Sequence, residues 1–127
     1  MADQFPALVL TESDGKVSSA VRDMSVDEFP EGDVTVRVTY SGLNYKDGMV
    51  VNGIGRLVRD YPHVPGIDFA GVVEESVSDR YKAGDQVILT GWRVGEMHWG
   101  GYAGKARVNS DWLVPLPDGL TDKRAMA

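Results

Sequence analysis

A mainly β, barrel-like domain with short helices is the fold this chain predicts, and two observations carry the prediction. Short apolar runs recur from end to end, each bounded by glycine, proline or aspartate turns at regular spacing. One of them, Val34 to Tyr40, alternates strictly, with Val34, Val36, Val38 and Tyr40 on one face and Thr35, Arg37 and Thr39 on the other. Period two is the mark of a half-buried strand.

The elements follow in order. Ala7 to Thr11 reads as a first strand, Asp14-Gly15 as a hairpin turn, and Lys16 to Val21 as the returning strand. Pro30 to Asp33 turns the chain into the alternating strand. Tyr45 to Val51 predicts one or two helical turns, interrupted at Gly48 and ended by Asn52-Gly53, and Gly53 to Arg56 reads as a flexible loop. Val64-Pro65 leads into a turn at Gly66, Phe69 to Val77 is strand, and Gly84-Asp85 turns into a strand over Gln86 to Thr90. Gly100 to Ala103 and Ala106 to Val108 form the next β segment, and Trp112 to Pro117 closes the β region. Asp118 to Thr121 caps a helix opening at Asp122. The glycines at 66, 71, 84 and 101 read as backbone requirements.

Composition narrows the function classes. The 127 residues suffice for one hydrophobic core, and shares of 43% apolar and 25% charged residues are ordinary for a soluble globular domain. There is no cysteine, which removes disulfides, thiolate zinc sites and cysteine nucleophiles together. A net charge of −6 and a pI near 4.8 argue against nucleic-acid binding. No apolar run has the length of a membrane span, and Met1 to Pro6 lacks the pattern of a signal peptide. The expectation is a soluble, cytoplasmic protein. Lys46, Arg56 and Arg59 fall in a stretch poor in acids and form either a solvated loop or a ligand contact.

Pro65-Gly66-Ile67-Asp68-Phe69-Ala70-Gly71-Val72-Val73, followed by Gly84-Asp85-Gln86-Val87, resembles the catalytic, GroES-like half of medium-chain dehydrogenases/reductases. Ser41 to Asp47, Trp99 to Ala103 and Val114 to Leu120 extend the resemblance over nearly the whole chain. In zinc alcohol dehydrogenases the places of Ile67 and Asp68 hold a metal-ligand histidine and an acidic residue. Ile67 has no lone pair for a metal, so the resemblance is to the zinc-free branch, with no metal expected. Asn44 to Asp47, Leu89 to Glu96 and His98 to Gly101 make the chain similar to the acryloyl-CoA reductase family.

That resemblance implies NADPH as cofactor, an acyl-CoA thioester as substrate, and reduction of the acryloyl-CoA double bond to give propionyl-CoA. It implies a place in three-carbon acid metabolism, including acrylate made from dimethylsulfoniopropionate. It also implies a homodimer, with residues 1–127 as the N-terminal catalytic domain of a longer enzyme whose Rossmann domain is missing here. Gly53-Ile54-Gly55-Arg56-Leu57-Val58 does not replace that domain, because valine stands at the third glycine place and no buried strand precedes it.

By resemblance Tyr45 sits beside the nicotinamide, either as a phenol donor in the cleft or as a core tyrosine. Asn44 bridges cofactor groups or satisfies a turn. Asp68 orients Tyr45 or a basic neighbour, or caps backbone amides. Lys46-Asp47 is a proton relay or an exposed ion pair. Arg56 and Arg93 are assigned to substrate binding, with Trp92 beside them at the acyl or CoA entrance. The tyrosine that some enoyl reductases place eleven residues after the asparagine is Gly55 here, so no proton donor is carried over. Two other readings stay open: a general NADPH quinone or enone oxidoreductase, and a non-catalytic GroES-like binding or co-chaperonin module.

Overall fold

Asp14 and Gly15 both take positive φ, 52° and 77°. This is the pairing that lets a two-residue turn match the twist of a hairpin. In the computed structural model, which describes residues 4–127, they join β1 (Gln4–Ser13) to β2 (Lys16–Ser25). Met1 to Asp3, at the start of the stretch read above for a signal peptide, lies outside the described residues. Both strands run longer than the apolar pattern predicts, because register pairing continues from Ser13↔Lys16 to Gln4↔Ser25 through polar positions.

The second sheet contains β3 (Val34–Ser41), β4 (Asp68–Ser76), β5 (Gln86–Thr90), β6 (Lys105–Val108) and β7 (Leu113–Pro115). Their order is β6-β3-β4-β5-β7, with every pairing antiparallel. Phe69, Leu89, Val34, Val36, Val73, Val87 and Val108 form its main core. Two register shifts mark the β3–β4 pair, between Thr35 and Val36 and between Val38 and Tyr40. The second leaves Thr39 unpaired and upsets the predicted alternation: Tyr40 is 41% exposed.

Gly100 to Ala103 is not a strand. It contributes one isolated bridge, Ala7 to Ala103, and closes the barrel through single hydrogen bonds. Leu8 N–H donates to Tyr102 O at 2.9 Å, Gly104 N–H to Pro6 O at 2.8 Å, and Val38 N–H to Gly104 O at 2.9 Å. The segment thus ties the β1–β2 hairpin to β3. Trp112 belongs to a 3₁₀ turn over Ser110–Trp112, so the closing strand is shorter than expected. Thr121 caps the short helix α2 (Asp122–Ala125), accepting from Arg124 N–H at 3.1 Å. Helix α1 occupies Tyr45–Val51 and runs unbroken through Gly48, where an interruption was expected, and a 3₁₀ turn over Ile54–Arg56 stands where a loop was expected.

Residues 91–98 form a strap across the sheet end. Val94 anchors it in the main core at 0% exposure. Beneath it the chain crosses itself backbone on backbone: a Cβ on Gly66 (φ 107°) would lie 2.7 Å from Tyr102 N, and one on Gly95 (φ 83°) 2.8 Å from Gly66 C. No L side chain fits either place.

His63, 2% exposed, ties the strap down by donating from Nε2 to Gly95 O at 2.8 Å. Burial holds its pKa below the ordinary 6.5; the Gly95 hydrogen bond opposes that and the neighbouring His98 adds to it. An unfolded chain therefore binds a proton more readily than the folded one. His63 contributes stability above pH 6.5 that is lost as pH falls below it. Thermal melting below pH 6.5 should show a fall that His63→Gln flattens, since glutamine keeps a donor without titrating. Identical pH profiles for the two proteins would refute this.

Candidate functional site

Helix α1 begins just after β3, and its first turn is held by the carboxylate of Asp47, expected as the partner of Lys46. Asp47 is 1% exposed. Its Oδ2 accepts from Asn44 N–H at 3.1 Å and from Asn44 Nδ2 at 3.2 Å, while its Oδ1 accepts from Ile67 N–H at 3.0 Å. The first of these contacts is the returning half of a capping box, and Asn44-x-x-Asp47 was the available sequence signal. The Ile67 bond could not have been read locally, because it joins residues twenty apart. The Lys46-Asp47 pair is corrected accordingly. Asp47 points inward, and Lys46 meets Glu96 instead, Nζ to Oε1 at 3.5 Å.

Asn44 and Asp68 are brought together. Asn44 Nδ2 donates to Asp68 Oδ1 at 3.2 Å as well as to Asp47, so one amide bridges two carboxylates. Burial raises the Asp68 carboxyl above its ordinary range. The Asn44 donor opposes that rise, the nearby Asp47 charge adds to it, and Gly42 N–H opposes it. Tyr102 completes the group, donating from its hydroxyl to Gly42 O at 2.9 Å. Burial first, then the Asp47 charge, push its phenol well up, so it stays a proton donor.

Tyr45 is 88% exposed, which overturns the core-tyrosine alternative. Nor does Asp68 orient it: its carboxylate accepts from Asn44, and among the described residues no basic side chain pairs with it. Among the described residues the phenol, at the helix start, has no hydrogen-bond partner, and Leu43, also 88% exposed, lies two residues before it. Both flank Asn44, whose partly buried network is centred on the buried Asp47.

Arg56 and Arg93 both line a cleft of about 520 Å³, together with Lys46, Arg59, Trp92 and Glu96. Gly55, at the place of the tyrosine some relatives use, lines the same cleft and turns with φ 76°. Lys46 belongs to α1, so one short helix connects the Asn44–Asp68 network to the cleft. Among the described residues no group of three or more His, Asp or Glu side chains is arranged to hold a metal. No helix there is long and apolar enough to cross a membrane.

Residues 30–118 match the family described as the alcohol dehydrogenase GroES-like domain. The acrylyl-CoA reductase AcuI of Ruegeria pomeroyi is 60% identical over 125 residues, which cover 97% of this chain and 38% of that protein. The YhdH oxidoreductase of Salmonella enterica, solved in complex with NADP, superposes with a TM-score of 0.93 at 51% identity, over 98% of this chain and 38% of that one. YhfP of Bacillus subtilis, solved with NAD bound, gives a TM-score of 0.93 at 42% identity, over 98% of this chain and 38% of its own. The chain thus spans 38% of the length of each of these relatives.

Proposed function

The chain belongs to the alcohol dehydrogenase GroES-like domain family, and from that premise we propose that it is the N-terminal catalytic domain of a longer, two-domain enzyme. That enzyme uses NADPH to reduce the carbon–carbon double bond of acryloyl-CoA, giving propionyl-CoA, and works as a homodimer in the cytoplasm. The 60% identity to a protein named acrylyl-CoA reductase supports the substrate. The neighbour solved with NADP supports the cofactor.

The observation that carries the reading is the Asn44–Asp47–Asp68 network beneath an exposed Tyr45. Every strand pairing is antiparallel, so the described residues contain no βαβ unit for the bulk of a dinucleotide. What they offer is a corner for its reactive end, made by Asn44 and Tyr45. When bound, NADPH supplies the hydride that reaches the β-carbon. Negative charge then gathers on the thioester oxygen, where a preplaced donor stabilises it, and a proton taken up from solvent at the α-carbon completes propionyl-CoA. The Tyr45 phenol is a free O–H donor at that corner. Asn44, fixed by two carboxylates, sets the start of α1 and with it the direction in which Tyr45 leaves the helix. Asp68 positions Asn44 rather than touching substrate. Arg56 and Arg93 attract the anionic thioester carrier.

A quinone or a simple enone has no anionic carrier, so the four cations of the cleft favour the thioester over the general quinone oxidoreductase reading. In the protein carrying both halves, NADPH oxidation should run faster with acryloyl-CoA than with a simple quinone. Tyr45→Phe should lower kcat by about tenfold, the equivalent of ~1.4 kcal/mol in the barrier. Equal rates with quinone would sink the substrate assignment, and an unchanged kcat would remove Tyr45 from the reaction.

A further inference from the structure

The strap and the turn opposite it share an unusual backbone. Among the described residues four non-glycine positions have positive φ: Asp14, Arg56 (50°), Trp92 (59°) and Arg93 (58°). Asp14 belongs to the hairpin turn, and the other three line the same cleft. Side chains with a Cβ rarely adopt this conformation, and arginine and tryptophan have no local hydrogen bond to compensate for it. Such strain persists where the surroundings enforce it, and it concentrates at ligand clamps.

The enforcement is visible. Val94 is fully buried, Val94 N–H donates to Gly91 O at 3.1 Å, and Glu96 and Met97 N–H donate to Arg93 O at 3.2 and 2.9 Å. Gly95 O is held by His63. Trp92 and Arg93 are thus fixed outward before any ligand arrives.

Their chemistry is equally specific. Lys46, Arg56, Arg59 and Arg93 share the cleft lining with one carboxylate, Glu96, which engages Lys46; Glu12 and Asp60 lie beside Arg56 and Arg59 in the adjoining cavities. The three arginines have no ion pair or side-chain hydrogen bond among the described residues. In a chain of net charge −6 this is a local reversal of sign. Trp92 stacks on Trp112 at 6.4 Å between ring centroids and 20° between planes, yet it is 59% exposed. Trp92 lines the cleft and Trp112 does not. Planar guanidiniums suit phosphate, and an aromatic face backed by a second ring suits a purine.

We propose that this cleft binds the adenosine 3′,5′-bisphosphate end of coenzyme A, with the purine on Trp92 and the phosphates on Arg56, Arg59 and Arg93. The proposal rests on the thioester reading above and adds to it where the carrier docks.

The test is titration of the 127-residue chain with adenosine 3′,5′-bisphosphate, followed by the Trp92 indole N–H resonance, which Trp92→Phe assigns. Saturable shifts are expected, weakening steeply with salt. Arg93→Asn and Arg56→Asn should each weaken binding at least tenfold, and asparagine tolerates the left-handed backbone, so the fold is retained. Arg59→Ala serves as a variant free of backbone strain and should weaken binding likewise. Absence of saturable shifts, or equal binding of inorganic phosphate alone, would overturn the proposal. Tighter binding of adenosine 2′,5′-bisphosphate would overturn it too, by assigning the cleft to the dinucleotide. Bisphosphate binding without acryloyl-CoA turnover in the longer protein would support the cleft while sinking the proposed reaction. Turnover with an unresponsive cleft would do the reverse.

Discussion

Asp47→Ala is expected to lower stability by about 3 kcal/mol or more, read as a shift in the urea midpoint at unchanged slope. The carboxylate serves Asn44 N–H, Asn44 Nδ2 and Ile67 N–H from a position 1% exposed to solvent. Alanine removes the acceptor and leaves these donors without it, and each buried donor left so costs about 1–3 kcal/mol. Asp47→Asn keeps one acceptor oxygen but turns an amide toward the remaining donors, so its loss should be intermediate. The longer protein should show a second effect: Asn44 loses one of its two anchors, and kcat should fall more than KM rises. A loss under about 1 kcal/mol for Asp47→Ala would mean that water replaces the carboxylate and that the network is incidental.

Phe69→Ala should cost more still, about 3–5 kcal/mol. Phe69 is 0% exposed, the largest fully buried side chain, and pairs in register with Leu89 and Ser41 from the central strand β4. Domains of this size have net stabilities of about 5–15 kcal/mol, so the variant should lose a large share of that margin and melt at a clearly lower temperature. Its position makes the loss informative about the site. Asp68 precedes it, and successive strand side chains face opposite ways, so Phe69 fills the core while Asp68 reaches Asn44. Phe69→Leu, with a smaller loss, should leave the Asn44–Asp68 contact and the activity of the longer protein intact. A fall in activity without a fall in stability would show that β4 transmits core changes to α1.

Those two residues also show how far the sequence could be read. Phe69 was legible as strand, because the apolar run it opens is bounded by glycine turns, and its place in the core follows from the pairing of β4 with β3 and β5. So were the Asp14-Gly15 turn, whose chemistry is local, and α1, whose ends Asn44 and Asn52-Gly53 mark. Asp47 was not, because its burial depends on a backbone amide at Ile67 that comes close only once β4 pairs with β3. Tyr40 was misplaced for a related reason. Period two assumes an unbroken ladder, and the extra residue at Thr39 turns the strand after Val38. The Gly100 to Ala103 segment has strand-like neighbours, yet its amides go to Val64, Gly66 and Pro65 rather than to a strand partner. Arg56 and Arg93 were paired in assignment, but nothing in the sequence announces that Trp92 and both arginines share a left-handed backbone.

The glycine crossing under residues 91–98 has a consequence for how this domain can change over evolutionary time. The strap is seated on main chain: Gly95 lies against Gly66, and Val94 and His63 are its buried fixings. The residues it displays, Trp92, Arg93 and Met97, are exposed and contribute little to that seating. Substitution at 97, and at 92 and 93 by residues that tolerate a left-handed backbone, leaves the frame standing, while substitution at Gly66 or Gly95 removes it. Selection can therefore rewrite what the domain recognises without renegotiating how it folds. A library randomised at 92, 93 and 97 is the natural starting point for redirecting it to another carrier.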